Sequence, residues 1–561
     1  MAAQKTLFSK SGFALLVFIG ILLNATCFFN DILEPDGTLY AFIAKQIAQS
    51  NDWINLWDKG RDWLDKPHLP FWLAAVSFKI FGISSFAYKL PSFICWLIGM
   101  FYCYKLSAKL YNTAIAQLTT IIYSTSLYVI VANFDVRAEA YLTAFIIGAT
   151  YHIYKAFDKK WFLHILTAAI FCACAIMTKG IFTVITIAAG FIIYWIKTKQ
   201  WNEFIKLKWY LLAALTFIFI LPELYSLYMQ FDLHPEKIVF GKKNVSGLKF
   251  FFWDSQFGRF VNTGPIKGNG NFFFFFHTIL WEFMPWIVFL IIALIALFKK
   301  INKPSLNNQR WIIGSSALIT FLLFSFSKFQ LPHYLIIIFP HLSMITACWI
   351  MEDATETALK KLAVVQTVMY LLLSALIITL AVIFVFNYAI WLYIFLIAGL
   401  LFIFFYKTKT ELFNIIKKNI VFAFVLAIFL NFFFYPSILP YQSGMTAGKW
   451  LNNNWKAQQV NMYKCYTNSL EFYCAAKVLP VGNLDSLVQV NAGKDSLLLF
   501  TPINEVSAIQ QNNSMHCLVL KTFSHFHISQ VTAKFLNHET RNSVLDTFAV
   551  VSIKRKLLFA E

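Results

Sequence analysis

Charged residues are scarce in this chain: they make up 13% of its 561 residues, whereas hydrophobic residues make up 59%. The scarcity argues against a soluble helical protein, because long apolar runs recur up to about residue 437. Each run approaches the ~17–25 residues with which an α-helix crosses the hydrocarbon core of a bilayer. We therefore predict a mainly α, polytopic membrane protein whose backbone is helical wherever lipid touches it.

Three common patterns are absent. The nine cysteines show no metal-ligand spacing, although Cys465 and Cys474 could close a small disulfide loop if they lie outside the cytoplasm. No A-x-A cleavage site follows the first apolar run, so this run is predicted to remain as an uncleaved helix. We find no internal repeat, which disfavours a transporter built from inverted repeats.

Acidic residues are also few: 27 Asp and Glu stand against 47 Lys and Arg, for a formal net charge of +20. The basic residues fall mostly in short loops between apolar runs, which is the positive-inside pattern of membrane proteins. This distribution favours anionic lipids or a phosphate-bearing substrate over nucleic acid as partners. Lys5 and Lys10 then indicate a cytoplasmic N-terminus.

Thirteen spans are predicted, at residues 12–29, 88–105, 112–132, 138–156, 162–178, 181–197, 209–229, 272–298, 310–326, 331–351, 362–386, 389–406 and 419–437. Segment 67–82 is apolar too, but it is short and carries Pro67, Pro70 and Lys79, so we predict an interfacial helix there. With this count the predicted cytoplasmic loops are nearly all basic; they are 105–112, 155–160, 197–208, 299–310, 351–361 and 407–418.

The odd number of spans predicts that residues 438–561, here called the tail, lie on the periplasmic side of a bacterial inner membrane. A first loop (30–87) and a long loop (230–271) share that side, within a transmembrane domain at 1–437. The tail is more polar and is predicted to form a small soluble α/β domain. Its predicted strands are Ser496–Thr501 and Cys517–Thr522, and its predicted helices are Asn483–Val490 and Glu505–Gln511.

Carboxylates are concentrated in the first loop, where residues 31–72 hold six Asp and one Glu. Asp36 opens a stretch with apolar residues at helical spacing, so it could cap a surface helix, act as a base, or do both. Asp65 and Lys66 precede the interfacial helix. Lys66 could present its ammonium to a phosphate, or it could simply reach the membrane surface beside an Asp cap.

More ionisable residues are predicted at the same face. Arg137 and Glu139 stand at the start of a span, where they could form an ion pair or part of a functional site. Lys179 lies between two adjoining apolar runs and needs an anionic partner, for which we favour phosphate over snorkelling. Arg259, beside an aromatic run of the long loop, is the residue best suited to bidentate phosphate contact.

A last group lies between two later spans, where Lys328, His333 and Tyr334 are candidates for substrate binding. A lone His or Tyr at this position is also common as a membrane-interface anchor. These residues, like the earlier ones, come from regions remote in sequence and converge on one predicted face. Such convergence is what a membrane-surface active site requires.

Taken in order along the chain, these pieces resemble the GT-C superfamily of polyprenyl-phosphate-sugar glycosyltransferases. The nearest likeness is to its bacterial aminoarabinose transferase and protein mannosyltransferase-like group. The stretches that carry the resemblance are EPDGTLYAFIAKQI, LDKPHLPFWL, RAEAYLTAF, MTKG, FFWDSQFGRF and FSKFQLPHYLIIIFP. Three residues depart from the usual pattern: Asp65 replaces Glu, His68 replaces a second Pro, and Glu139 replaces Asp.

The resemblance implies inverting transfer of a sugar from undecaprenyl phosphate to a periplasm-facing acceptor, such as a lipid A-like glycolipid or another envelope glycan. Lys66, Lys179 and Arg259 would bind the donor phosphate, and Asp36 and Glu139 would be catalytic. Asp65, Arg137, Lys328, His333 and Tyr334 would contact substrate. No cofactor is firmly implied, although a divalent cation is possible. The alternatives are a protein O-mannosyltransferase-like enzyme and a transporter or flippase for a lipid-linked saccharide.

Overall fold

Helices dominate the computed structural model, which describes residues 6–300, 309–386, 390–408, 410–455, 459–491, 496–511 and 515–555. Lys5, most of the predicted loop 299–310, part of the loop 407–418 and the first residue of the predicted span 389–406 lie outside the described residues. The first eleven helices are α1 (Lys10–Ala25), α2 (Asp36–Ser50), α3 (Leu69–Phe81), α4 (Ser85–Leu110), α5 (Thr113–Thr125), α6 (Leu127–Phe134), α7 (Ala138–Lys155), α8 (Trp161–Lys179), α9 (Thr183–Lys197), α10 (Leu207–Phe219) and α11 (Leu221–Leu227).

Ten more helices lead to the tail: α12 (Gly247–Lys249), α13 (Arg259–Val261), α14 (Phe274–Glu282), α15 (Ile287–Lys300), α16 (Arg310–Phe326), α17 (Phe339–Cys348), α18 (Glu356–Phe384), α19 (Ile390–Phe405), α20 (Glu411–Ile428) and α21 (Tyr435–Ile438). Short π-helical turns occur at Tyr228–Asp232, Phe250–Gly258, Trp349–Asp353 and Phe429–Phe434, and 3₁₀ turns at Thr26–Phe29, Trp201–Ile205, Pro332–Ile338 and Leu439–Tyr441.

Side-chain caps explain where several helices begin. Ser84 Oγ accepts a hydrogen bond from Ala87 N at the start of α4, and Asn112 Oδ1 accepts one from Ile115 N at the start of α5. Thr355 Oγ1 does the same for α18. Each cap satisfies a backbone N–H that the helix itself cannot pair.

Every predicted span coincides with helix, but three of them are broken. Segment 112–132 forms α5 and α6, which are bent by 52°, and segment 209–229 forms α10 and α11, bent by 41°. Segment 272–298 forms α14 and α15. Six helices among the described residues are long and apolar enough to cross a membrane, or eight if each bent pair is one span. The chain is therefore multi-pass, and the count of thirteen stays a prediction.

The first loop carries two helices, as predicted. Helix α3 occupies the segment for which an interfacial helix is predicted, its position at an interface stays a prediction, and α2 packs against it. A short hairpin of β1 (Trp57–Asp58) and β2 (Arg61–Asp62) lies between them. The capping role considered for Asp36 is wrong, because Pro35 occupies the cap position and Asp36 is the first residue of α2.

The tail contains a five-stranded mixed sheet in the order β4-β3-β5-β7-β6. Its strands are β3 (Gln459–Tyr463), β4 (Lys477–Val481), β5 (Leu497–Pro502), β6 (Met515–His525) and β7 (Asp546–Arg555), and its helices are α22 (Ser443–Asn454), α23 (Asn468–Tyr473), α24 (Leu484–Asn491), α25 (Ile503–Gln510) and α26 (Ala533–Leu536). The two predicted strands and two predicted helices are thus confirmed. Cys465 and Cys474 are both free thiols, so the considered disulfide is absent from the structure. The boundary at residue 438 stays a prediction.

Candidate active site

The segment that leads to Asp36 is held in place by a buried lysine that the sequence did not reveal. Lys89 of α4 is fully buried, and its ammonium donates to the carbonyl oxygens of Cys27 at 3.0 Å, Asn30 at 2.9 Å and Asp31 at 3.3 Å. A cation at the end of this short helical turn satisfies carbonyls that would otherwise lack partners. The ammonium therefore fixes the end of the segment that leads into α2 and Asp36.

The Asp36 carboxylate forms an ion pair with Arg137, which comes from the start of α7, 101 residues away in sequence. Arg137 Nε also donates to Asp135 Oδ2 at 2.8 Å. The guanidinium thus bridges two carboxylates and fixes the orientation of Asp36. The side chain of Asp36 is 36% exposed, so its carboxylate remains open to a reactant.

A second cluster joins Asp65, Lys66 and Arg259. Lys66 Nζ donates to Asp65 Oδ2 at 2.7 Å, and Arg259 Nη2 contacts Asp65 Oδ1 and the Asp65 carbonyl oxygen. Burial alone would raise the pKa of Asp65, but the two cations outweigh it and lower that pKa to about 2. Asp65 therefore stays ionised at any ordinary pH, where it anchors the two cations and cannot serve as a general acid.

The turn at Asp65–Lys66 is anchored by His68 and Glu223, whose side chains are both almost fully buried. The His68 ring nitrogens lie 2.9 Å from Glu223 Oε1 and from the Ile54 carbonyl oxygen, and His68 N donates to Glu223 Oε2 at 2.9 Å. This pairing gives a physical reason for a histidine where the resemblance expects proline. Sequence reasoning missed Glu223, although an acid inside an apolar run is itself a signal.

Glu139, at the start of α7, and Lys179, at the end of α8, form a third, deeply buried ion pair. His333 Nε2 lies 3.6 Å from Glu139 Oε1, and Lys179 Nζ lies 3.5 Å from the centre of the Tyr334 ring. The anionic partner that Lys179 was expected to need is therefore Glu139 within the protein itself. Lys179 also faces the cavity described next.

The next residue, Gly180, has a φ of +104°, and a Cβ there would lie 2.2 Å from Gln256 Nε2. Gln256 Nε2 donates to the Lys179 carbonyl oxygen at 3.2 Å. Only glycine permits both this backbone conformation and this close approach. The contact ties the end of α8 to the long loop that carries Arg259.

A cavity of about 530 Å³ adjoins these clusters and has both charged and apolar lining residues. Its charged lining residues are Asp65, Lys66, Lys179 and Arg259. Most of the remaining lining is apolar, from Pro67, Ile181, Phe182, Val184, Ile185, Phe252, Phe257, Phe260, Leu323, Phe324, Phe329 and Tyr334. Arg259 Nε is buried without a hydrogen-bond partner among the described residues. An unpaired buried donor of this kind needs an acceptor.

Lys328 does not join the clusters. Its side chain is exposed and makes no hydrogen bond or ion pair within the described part of the chain, although its neighbours Ser327 and Phe329 line the cavity. Its backbone has a structural role instead, since Lys328 N donates to Phe260 O at 3.0 Å and Gly270 N donates to Lys328 O at 2.7 Å. The other nine predicted site residues lie in the three clusters and their immediate surroundings.

The tail contacts the first loop just before and after Asp36. Lys45 of α2 is buried, and its ammonium donates to the carbonyl oxygens of Glu471 at 2.7 Å, Phe472 at 3.0 Å and Cys474 at 2.7 Å, at the end of α23. Glu34 accepts hydrogen bonds from the Thr467 hydroxyl and from Ser469 N. The tail therefore supports the helix that carries Asp36. Sequence reasoning did not identify Lys45.

Glu471 makes this contact sensitive to pH. Burial raises the pKa of Glu471 to about 7; nearby Asp58 adds to the effect, and the Tyr466 hydrogen bond and Lys45 oppose it. The folded protein favours protonated Glu471. The stability that Glu471 contributes is therefore fully present below its pKa in the unfolded chain, ~4.3, and is lost as pH rises towards its pKa in the folded protein, about 7. We expect the free energy of unfolding of wild type to fall by on the order of 2 kcal/mol between pH 5 and pH 8, relative to that of Glu471→Gln.

Thermal unfolding in detergent at these two pH values measures the effect. Glu539→Gln, also in the tail but with an exposed side chain, is the matched control and should follow wild type. An equal change of midpoint for wild type and Glu471→Gln would contradict this assignment.

Within the described residues, no three His, Cys, Asp or Glu side chains are grouped as ligands for a metal ion. The clusters instead pair each carboxylate with a cation: Asp36 and Asp135 with Arg137, Asp65 with Lys66 and Arg259, and Glu139 with Lys179. The arrangement suits an anionic group that competes for these cations beside an apolar groove.

Comparison with known proteins supports the resemblance found in the sequence. The model of the family described as Dolichyl-phosphate-mannose-protein mannosyltransferase matches residues 65–225. Undecaprenyl phosphate-alpha-4-amino-4-deoxy-L-arabinose arabinosyl transferase 2 of Proteus mirabilis is 25% identical over 337 residues, or 59% of this chain and 58% of that protein. An uncharacterized protein of Aquifex aeolicus is 24% identical over 325 residues, or 57% and 60%. The matched region thus spans about three fifths of these relatives' length.

Among solved structures, ArnT from Cupriavidus metallidurans bound to undecaprenyl phosphate superposes with a TM-score of 0.74 at 15% identity. The match covers 97% of this chain and 98% of that one, so the fold is shared over nearly the whole length, tail included. The partial family match and the relatives show a similarity to the aminoarabinose transferase group, and the solved structure shows that the fold is shared.

Proposed function

We propose that the protein is an inverting membrane glycosyltransferase that moves a sugar from undecaprenyl phosphate to an acceptor on the periplasmic side of the inner membrane. The observation that carries the proposal is the cavity lined by three cationic side chains and by apolar walls. A polyprenyl phosphate has the same division, because one charged group ends a long hydrocarbon chain. Arg259 Nε is an unpaired buried donor in a residue that lines this cavity.

The donor phosphate is proposed to bind Lys66 and Arg259. Both cations now share the Asp65 carboxylate, and each keeps further N–H donors for a phosphate oxygen. The apolar walls from α9 and α16 would hold the start of the isoprenoid chain. This arrangement would leave the sugar next to Asp36, whose ion pair with Arg137 adjoins the smaller cleft that Lys66 and Arg137 both line.

In the proposed reaction an acceptor oxygen attacks the anomeric carbon while the bond from that carbon to the phosphate oxygen breaks. The electron pair of the broken bond stays on the phosphate, where Lys66 and Arg259 stabilise the developing charge. If the acceptor is a hydroxyl, Asp36 takes its proton. If the acceptor is an already ionised phosphate, as on a lipid A-like glycolipid, Asp36 only orients it.

Glu139 and Lys179 have a different part in this proposal. Lys179 holds Glu139 in place, and the Glu139 carboxylate with His333 would orient the acceptor. Tyr334, whose ring lies under the Lys179 ammonium, would close the cavity on the acceptor side. Lys328 has no role in the proposed reaction beyond its backbone contacts.

The first candidate acceptor is a glycolipid, as the resemblance to the aminoarabinose transferase group implies. The mannosyltransferase description of the family model keeps a protein acceptor as the second candidate. A flippase is less well supported, because three of the four charged lining residues, Asp65, Lys66 and Arg259, form a single ion-paired group.

Purified protein in vesicles with a radiolabelled undecaprenyl phosphate sugar tests the proposal. We expect release of undecaprenyl phosphate and labelling of lipid A-type acceptor, and no release without acceptor. Movement of label across the bilayer with the donor intact would instead establish a flippase. Labelling of peptide acceptors alone would establish the mannosyltransferase-like alternative. Reporter fusions after Lys179 and Lys328 test the periplasmic orientation, which cytoplasmic reporter signals would overturn.

A further inference from the structure

A separate cleft lies between α18 and α20, at the ends of these helices that are remote from the tail. The far end of α18 contacts the tail, since Arg541 Nη2 donates to the Phe384 carbonyl oxygen at 3.0 Å. The near ends of the two helices are joined, because Glu411 N donates to Glu356 Oε1 at 3.3 Å. A helix of this length spans the membrane, so the cleft opens at the surface opposite the candidate active site.

The cleft has a volume of about 230 Å³ and a lining that is unusually polar for two membrane helices. It contains two ammonium groups, a carboxylate, an amide and two hydroxyl groups, from Lys360, Lys418, Glu411, Gln366, Thr367 and Tyr370. Lysines at the level of lipid headgroups attract anionic lipids. The cleft is therefore matched in charge to a phosphate group, with Glu411 offsetting part of the positive charge.

The floor of the cleft leaves polar atoms unpaired. Gln366 Nε2 donates to Asn419 Oδ1 and to the Pro285 carbonyl oxygen, both at 2.7 Å, and the Tyr370 hydroxyl also donates to Asn419 Oδ1. Gln366 Oε1 and Asn419 Nδ2 are buried with no hydrogen-bond partner in the described part of the chain. Buried atoms of this kind are costly unless water satisfies them, so the polar group behind the cleft lining has hydrogen-bonding capacity to spare.

The cleft opens towards lipid. On the same helix as Lys360, the apolar side chains Val364, Val368 and Leu371 are 66%, 51% and 53% exposed, as expected of residues that face acyl chains. Val364 itself lines the cleft. A ligand with a polar head in the cleft could therefore extend its hydrocarbon along α18. A soluble anion would leave this apolar surface unused.

We propose that this cleft binds the headgroup of a phospholipid from the leaflet opposite the active site. Lys360 and Lys418 contact its phosphate, and its acyl chains lie along the exposed face of α18. Glu411, which also lines the cleft, disfavours a doubly charged phosphate monoester and suits the single charge of a phosphodiester. The site is independent of the proposed transferase reaction and would bind lipid whether or not that reaction is correct.

The chain offers a matched pair of variants. Lys360→Gln with Lys418→Gln removes both cleft cations, whereas Lys361→Gln with Lys417→Gln removes two neighbouring lysines that do not line the cleft. Lys417 is exposed, and its ammonium donates to the Tyr406 hydroxyl at 2.8 Å. Both double variants lower the net charge by two at adjacent positions. Any difference between them therefore reports on the cleft itself.

Native mass spectrometry of the full chain in a neutral detergent, titrated with phosphatidylglycerol, measures the binding. We expect one tightly bound lipid on wild type and on the control variant. The cleft variant should bind it about tenfold or more weakly, since each lysine near the surface contributes roughly 1 kcal/mol. Diacylglycerol, which has the same chains without phosphate, should not occupy the site.

Equal phosphatidylglycerol affinity for the two double variants would overturn the proposal. Binding of glycerol 3-phosphate as tight as that of phosphatidylglycerol would also overturn it, because the site would then recognise a free phosphate and not a lipid. Equal binding of diacylglycerol would show that the cations do not matter and would overturn it as well.

Discussion

Replacing Asp36 with asparagine is expected to lower sugar transfer by about 10²- to 10⁴-fold if the acceptor is a hydroxyl. Asparagine keeps the size of the side chain and a hydrogen bond to Arg137, but it cannot accept the acceptor proton. Because Asp36 is the first residue of a helix supported by Lys89 and by the tail, the variant should fold normally. Turnover of labelled donor by purified protein measures the loss.

The matched control for Asp36 is Asp31→Asn. Asp31 lies in the same segment, but its carboxylate contacts Lys449 at 2.6 Å and Ser85 at 3.3 Å, away from the clusters. This variant should retain transfer within about threefold of wild type, which is the scale of a surface ion pair. Wild-type turnover by Asp36→Asn would refute a catalytic role. A raised KM for acceptor with nearly unchanged kcat would mean that Asp36 only orients an ionised acceptor.

Replacing Arg259 with glutamine is expected to lower kcat by about 10²- to 10³-fold, because a donor aimed at the leaving phosphate stabilises charge only as it develops. The buried Nε of Arg259 and its position in the lining of the cavity are the structural reasons. Arg259→Lys should fall between wild type and Arg259→Gln, since lysine keeps the charge but not the planar set of donors. Single-turnover kinetics and binding of undecaprenyl phosphate measure both effects.

Lys328→Gln is the control for Arg259, because it removes a cation from the same region whose ammonium has no protein partner among the described residues. We expect turnover close to that of wild type. If Lys328→Gln lowers turnover as much as Arg259→Gln, the separation of these two residues drawn from the structure is wrong. In that case the original sequence prediction for Lys328 would be the better one.

The pairing of carboxylates with cations could be predicted from the sequence only in part. Loop charges were enough to predict that Asp36, Glu139, Lys179 and Arg259 share one membrane face. They did not show which carboxylate meets which cation: Lys179 pairs with Glu139 inside the protein, and its contact with phosphate stays a prediction. Hydropathy and charge bias report depth and side, whereas the partner of a side chain depends on how the helices pack around it.

The tail shows a similar division. Strands β5 and β6 were predicted from compact apolar stretches, whereas β3, β4 and β7 were not. Both β3 and β4 are five-residue strands, and β4 carries Pro480, so neither shows a clear alternation of apolar and polar residues. Their structure depends on parallel pairing with each other and with β5, which no local pattern encodes.

The sequence by itself determined the membrane character of the chain, its helical segments, its resemblance to a known superfamily and nine predicted site residues that the structure places at the clusters, because these follow from local composition and short motifs. Only the tertiary structure decided the rest. It paired Asp36 with Arg137 and His68 with Glu223, and it brought Lys45 of the first loop under the tail. Such contacts join segments up to 429 residues apart, and their energy depends on burial and distance, which exist only once the helices have packed.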